Sequence, residues 1–442
     1  MYFETIDFLL LPLYLGLFYL IAFQIRKRNA HDPVYQRNFI RGLNYKMGGA
    51  LGFSFIYIFY YGNGDAMSFY NAMKPLSKLA FSQPDRYFSF MTSWNELYPP
   101  ECAYQANRMV VAYILRGTAS LTVIRLGSII SILSLNSFIV CNIMFGFVSY
   151  LFVWRAFRLF VSLYPKLEKD FVIAFLMVPS VVFWGSGVGK DSIMLGSIML
   201  FFCTYYDLVI RKRKIIRNLF MLMIVVYIIS QIRGFLVYTI APGLLLMTAV
   251  YYRNLFKSAV VRFVALPVFI GIGLVGSLVF VERFGNMVES YSMESLQKKA
   301  EGFHSWHTTL GETQGGSFYS LGDDVDYSVA GIMRKAPLAL AITLFGPFVW
   351  QIKNVVMLVS GIESLIFLYY FSTVFINIRV YRAFSVLSKD HIVMFCILFI
   401  VAIGIAVGMT SFNYGALVRY KIPILPFFVV LISVTRYRIK YG

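Results

Sequence analysis

The stretch SIMLGSIMLFFCTYYDLVIRKRKIIR, residues 192–217, decides the fold class. Residues 192 to 210 carry a single charge, Asp207, over a length close to the roughly 20 apolar residues that a helix needs to cross a bilayer. Arg211, Lys212, Arg213, Lys214 and Arg217 follow at once, and a second apolar run occupies 218 to 231. Two apolar runs joined by a compact basic cluster read as a pair of membrane helices with their connection on the cytoplasmic side.

The same alternation recurs outward in both directions. Further basic clusters (Arg26, Lys27, Arg28; Arg155, Arg158, Lys166; Arg253, Lys257, Arg262; Arg379, Arg382, Lys389; Arg436, Arg438, Lys440) occupy alternate gaps between apolar stretches. Taken together they predict an all-α, polytopic bundle of about 11 transmembrane helices. The spans fall near 7–24, 47–61, 137–154, 171–184, 192–210, 218–231, 235–252, 260–281, 354–376, 391–411 and 421–435. The first follows two acids, Glu4 and Asp7, and precedes Arg26 to Arg28. That order is the reverse of a secretory signal, so the first span is expected to stay, N-terminus outside and C-terminus cytoplasmic.

Composition agrees with this reading. A chain of 442 residues with 59% hydrophobic and 18% aromatic residues and a mean hydropathy of +0.70 is not a string of soluble domains. The net charge of +19 sits mostly in short loops beside apolar runs, where it marks topology and attraction to anionic headgroups, not nucleic-acid binding. Cys141, Cys203 and Cys396 fall within expected spans and Cys102 in a polar loop, a pattern without disulfide or metal spacing.

The whole chain, 1–442, therefore reads as one transmembrane domain with three segments that do not fit as simple spans and one long outer loop. Residues 62–126 form an outer, aromatic-rich segment in which Ala66, Phe69, Tyr70, Met73 and Leu76 recur at helical spacing, as in an interfacial helix. Residues 127–136 are too short to span, and the run from Pro337 to Trp350, interrupted by Pro347, reads as a re-entrant half-span. Residues 282–334 form a long polar outer loop with Gly315, Gly316, Asp323, Asp324 and Asp326, a candidate lid or acceptor-binding loop.

The gaps opposite the basic clusters hold the candidate chemistry. Asp65, after Gly62-Asn63-Gly64, stands where the second span leaves the membrane. A carboxylate there can take a proton from a sugar hydroxyl, or simply cap the helix that follows. The segment Trp184-Gly185-Ser186-Gly187-Val188-Gly189-Lys190-Asp191-Ser192 superficially suggests a nucleotide-binding loop. It fails that pattern, since Trp184 stands at the first glycine position and Asp191 follows the lysine. It reads better as a turn that presents Lys190 to phosphate, with Asp191 opening the next helix; the plainer alternative has Lys190 snorkelling to headgroups.

Arg233 and Arg419 lie at the edges of apolar runs, where an arginine is costly unless paired or facing a wet cavity. With Lys190 they are candidates to hold a phosphate or pyrophosphate. The alternative is headgroup contact or a salt bridge to Asp65 or Asp191. Glu363, inside an apolar run, is a candidate by position, or else a structural partner for a buried arginine. His304 and His307 lack a third ligand at metal-binding spacing, and Trp306 between them is a candidate platform for a sugar.

Three motifs carry a resemblance: Gly64-Asp65 with Tyr70; the turn from Pro179-Ser180 to Gly189-Lys190-Asp191; and Arg419-Tyr420-Lys421-Ile422-Pro423 with Pro426-Phe427. In these the chain resembles the polytopic GT-C-type membrane glycosyltransferases and the bacterial O-antigen and exopolysaccharide polymerases. The resemblance implies a polyprenyl-phosphate- or polyprenyl-pyrophosphate-linked sugar donor and a glycan acceptor at the outer face of a bacterial inner (cytoplasmic) membrane. It implies Asp65 as the catalytic acid or base and Arg233 and Arg419 as donor-phosphate ligands. Asn63 and Gly64 precede Asp65 where several such families carry paired acids, and no soluble domain follows the spans. Such a donor needs no ATP or nicotinamide cofactor, and no residue spacing supports a divalent metal. A lipid-linked oligosaccharide flippase or a noncatalytic scaffold of a polysaccharide assembly complex are the competing expectations.

Overall fold

A computed structural model of the protein describes residues 2, 4–92, 98–106, 117–253, 302, 318, 319, 321, 329–375 and 389–441. Among these the fold is all-helical, and the single β pairing is an isolated antiparallel bridge between Phe318 and Asn413.

In chain order the helices are α1 (Asp7–Arg28), α2 (Pro33–Phe55), α3 (Asp65–Ser82), α4 (Pro84–Thr92), α5 (Pro100–Gln105), α6 (Thr118–Leu133) and α7 (Phe138–Leu163). There follow α8 (Glu168–Val172), α9 (Pro179–Trp184), α10 (Lys190–Tyr205), α11 (Ile215–Arg233) and α12 (Phe235–Arg253). After these come α13 (Val329–Phe345), α14 (Val355–Phe375), α15 (His391–Ser411), α16 (Tyr414–Tyr420) and α17 (Leu425–Tyr441). Seven of them (α1, α7, α10, α11, α12, α14 and α15) are long and apolar enough to cross a membrane, and α16 with α17 makes an eighth candidate bent by 63°.

The span expected at 171–184 is a broken segment: α8 runs into a π-helical turn, Ile173–Met177, and stops at Val178 before Pro179 starts α9. Proline has no N–H to continue the helix and forces the residue before it toward extended backbone; Val178 accordingly has ψ 118°. The span expected at 47–61 is the far part of α2 plus a π-helical turn, Ile56–Tyr61, and its near part carries Arg37, Arg41 and Lys46. Residues 127–136 belong largely to α6, which begins at Thr118. The Pro337–Trp350 run ends its helix at Phe345, just before Gly346-Pro347. The span expected at 260–281 and most of the 282–334 loop lie outside the described residues.

Helices α7, α10 and α15 form the interior, whereas α1, α11 and α14 leave Phe8, Leu13, Leu20, Ile216, Phe220, Val355 and Ile362 exposed. So much contiguous apolar surface suits acyl chains and not water. Close helix packing uses small residues: Gly146 of α7 lies against Ala50 of α2, and Gly196 of α10 against Phe152 of α7. The helical stripe Ala66, Phe69, Tyr70, Met73 and Leu76 is buried within the protein, with α3 packed on α6. The chain is a multi-pass helical membrane protein.

The antiparallel course of these helices brings alternate connections to opposite ends of the bundle. One end holds the α1–α2 turn, the end of α7, the α10–α11 connection and the start of α15. Its ion pairs include Arg158–Asp32 (2.7 Å), Arg155–Asp207 (2.9 Å), Arg37–Glu168 (2.6 Å) and Arg438–Asp390 (2.9 Å). The other end holds the start of α3, the start of α10, the end of α11 and the end of α16.

Candidate functional site

At this second end four chain segments meet on two carboxylates. Asp191, in the first turn of α10, accepts from Arg233 Nη2 on Oδ1 (2.6 Å) and from Arg419 Nε on Oδ2 (2.7 Å). Arg419 Nη1 also donates to Asp65 Oδ2 at 2.9 Å. Both aspartates sit in first helical turns, where the helix dipole favours negative charge. The salt-bridge alternative for the two arginines is therefore what the structure shows, with Asp191 shared between them.

Local sequence explains how the carboxylates are placed. Gly64 has φ +122° and ψ −179°, a backbone region essentially reserved for glycine. It turns the chain out of the π-helical end of α2 so that Asp65 becomes the first residue of α3. Gly64 occupies the capping position and Asp65 makes no capping bond, so the expected cap is replaced by the bond to Arg419. The α9–α10 turn is held by Asn142 of α7, whose Oδ1 accepts from Val188 N (2.7 Å) and whose Nδ2 donates to Ser54 Oγ (3.0 Å). Gly187 in that turn lies so close to Phe53 that a Cβ would meet the ring at 2.1 Å.

Burial grades the cluster. The side chains of Asp191 and Arg233 are 5% and 9% exposed, that of Arg419 21%, and that of Asp65 40%. Arg233 lies 4.1 Å above the ring of Tyr420, and Arg419 lies 5.5 Å from that of Trp184, stacking that suits a guanidinium withdrawn from water. Lys190 is half-buried with its Nζ 5.7 Å from the centre of the Phe69 ring. It makes no hydrogen bond or ion pair among the described residues. Three cations against two carboxylates leave the cluster with one positive charge.

Asp65 and Arg419 face a cavity of about 490 Å³ whose walls include Tyr57, Tyr61, Trp184 and Tyr414. That volume is within the range of small-molecule sites, about 300–1,000 Å³. Lys190, Arg233 and Asp191 do not line it. The three cations expected to converge on one phosphate are thus divided: Arg419 at the cavity wall, Arg233 behind it on Asp191, and Lys190 to the side.

Two other expected residues stand apart. Tyr70 is turned away, its hydroxyl donating to Asn136 O. Glu363 of α14 accepts from the backbone N of Ser180 at 2.7 Å, serving the first turn of α9; its partner is not an arginine. Trp306, with His304 and His307, lies outside the described residues. Among the described residues no three His, Cys, Asp or Glu side chains are grouped to hold a metal.

Sequence reasoning passed over Lys421, although it stood in a quoted motif. It is fully buried at the break between α16 and α17, and its Nζ donates to Gly346 O (2.7 Å) and Ser364 Oγ (3.2 Å). Glu363 is its electrostatic neighbour, with Oε1 left without a hydrogen bond. Lys46 of α2 is likewise buried, and its Nζ reaches Val181 O at 3.3 Å. Asn142 was also passed over; an amide inside an apolar span, expensive unless bonded, was the available signal. Comparison of the chain with family models, curated proteins and solved structures returned no match.

Proposed function

We propose that the protein is a membrane glycosyltransferase that uses a polyprenyl-phosphate- or polyprenyl-pyrophosphate-linked sugar in cell-surface polysaccharide assembly at the outer face of the membrane. The observation that carries this reading is Asp65, the most exposed acid of a buried arginine-aspartate network, facing an aromatic-walled cavity beside Arg419. Asp65 takes the proton of an acceptor hydroxyl as that oxygen bonds to the anomeric carbon. The bond from this carbon to the phosphate oxygen breaks, and its electron pair leaves with the lipid phosphate. Arg419 already spends Nε on Asp191 and Nη1 on Asp65, which fixes its plane and leaves Nη2 to meet the leaving oxygen. Lys190, with its donors unspent, adds charge from the side. Arg233 acts through Asp191 as a positioning residue. The aromatic walls offer faces on which a sugar ring can lie.

The test is incubation of purified protein with a panel of polyprenyl-phosphate and -pyrophosphate sugars and glycan acceptors, followed by mass spectrometry of the released lipid. Release by wild type and its loss in Asp65→Asn, at unchanged melting temperature, is the expected result. Full release by Asp65→Asn removes Asp65 from the chemistry.

A second reading, a lipid-linked oligosaccharide flippase, is favoured by one observation. The broken segment at Val178-Pro179 and the bend at Lys421 lie together, with Glu363 and Lys421 beside them, and interrupted helices carrying buried charge are a feature of carriers. Movement of intact donor across vesicles without release would select that reading.

A further inference from the structure

The basic end of the bundle contains a site of a different kind. Most arginines there have an acid: Arg158 has Asp32, Arg155 and Arg211 share Asp207, Arg37 has Glu168 and Arg438 has Asp390. Arg436, Lys440 and Lys166 have no hydrogen bond or ion pair among the described residues. These three gather around two adjoining cavities, one of about 460 Å³ between α14 and α17 and one of about 450 Å³ between α17 and residues 166–170. Tyr370, Arg436 and Lys440 belong to both cavities, so they form the partition between them. Asp170 is the single carboxylate on either lining.

The walls mix the two characters. Arg436 and Lys440, one turn apart on α17, share the helix end with Tyr437 and Tyr441, and Ile432 and Ile439 of α17 with Val374 of α14 supply apolar wall beside them. Tyrosine with lysine and arginine is the composition of a membrane-water boundary, and apolar wall beside it suits acyl chains. Basic pockets between membrane helices at their cytoplasmic ends take up anionic headgroups.

We infer that the α14–α17 cleft binds the phosphate headgroup of a diacyl anionic phospholipid, with Arg436 and Lys440 as its ligands and Lys166 closing the second cavity. The inference is independent of the catalytic reading, because it concerns the opposite end of the bundle. Its consequence is retention of phosphatidylglycerol-type lipid against α17, the helix that begins at the Lys421 bend.

The experiment is native mass spectrometry of the full chain from micelles doped with phosphatidylglycerol or phosphatidylcholine, with inorganic phosphate and polyprenyl phosphate as competitors. Wild type should retain phosphatidylglycerol preferentially, and added salt should weaken retention. The double variant Arg436→Ala, Lys440→Ala should lose roughly twenty-five-fold in retention, about five-fold for each cation near a headgroup. Arg158→Ala, which removes a cation of the same end that already has a carboxylate, should lose nothing. Arg436→Lys keeps the charge and should retain most of the binding, which guards against reading a folding defect as a lost ligand. Equal retention of the two lipids, an equal loss in Arg158→Ala, or displacement by inorganic phosphate or polyprenyl phosphate at matched concentration would each overturn the assignment.

Discussion

The two ends of this bundle hold the same side-chain chemistry and use it differently. At the basic end most of the paired arginines are themselves exposed: Arg158 is 42% exposed, Arg37 58% and Arg438 43%, although the Asp390 that Arg438 meets is buried. At the other end Asp191 is 5% exposed and serves two arginines at once. Exposed pairs contribute little, because water already solvates both partners. A buried, shared carboxylate has no such substitute, and removing it strands Arg233 and leaves Arg419 with Asp65 alone. The difference teaches that the same ion-pair chemistry can be spread over partly exposed pairs at one end of a bundle and gathered on one buried carboxylate that joins two arginines at the other.

The largest expected break in this comparison comes from Asp191→Ala. Loss of the shared carboxylate should cost about 3–5 kcal/mol, the range for removing one partner of a buried ion pair, seen as a lowered unfolding temperature in detergent. Equal losses in Asp191→Ala and Asp32→Ala would erase the distinction between the ends. Next comes Gly64→Ala, in which φ +122° becomes strained; about 1–3 kcal/mol is expected, and activity should fall further than stability because Asp65 moves with the turn. Smaller still is Arg158→Ala, within about 1 kcal/mol of wild type. That small loss should shrink further at high salt, and a loss matching that of Asp191→Ala would show that the basic end is equally built.

Much of the fold was legible because burial in lipid writes itself into hydropathy. The runs that became α1, α7, α10, α11, α12, α14 and α15 are each long and nearly free of charge, and alternating basic clusters ordered them. The broken segment at 168–184 was not legible as such, since an apolar run with a proline inside looks like a span until the backbone is seen to stop at Val178. The polar half of α2 escaped for the opposite reason: Lys46 is buried in contact with Val181 O, so tertiary packing and not composition made that helix internal. At the site, Asp65, Lys190, Asp191, Arg233 and Arg419 were legible as charges on the wrong side of the pattern. Their pairing was not, because Arg419 and Asp191 are 228 residues apart and Arg419 and Asp65 are 354 apart. Lys421 was hidden by its neighbour Arg419, which drew the same sequence signal.

The account's central claim is that the arginine-aspartate end is a substrate site and not only a structural clamp. Lys190 separates the two most cleanly, since it belongs to the cluster yet holds no ion pair among the described residues. The decisive measurement is a donor titration of lipid-phosphate release by Lys190→Ala beside wild type, with unfolding temperature recorded on the same samples. The account predicts an unchanged unfolding temperature and a KM for the lipid-linked donor raised about tenfold, the value of one charge-assisted contact of about 1.5 kcal/mol. An unchanged KM with an unchanged unfolding temperature would contradict a phosphate role for Lys190 and leave the cluster a clamp.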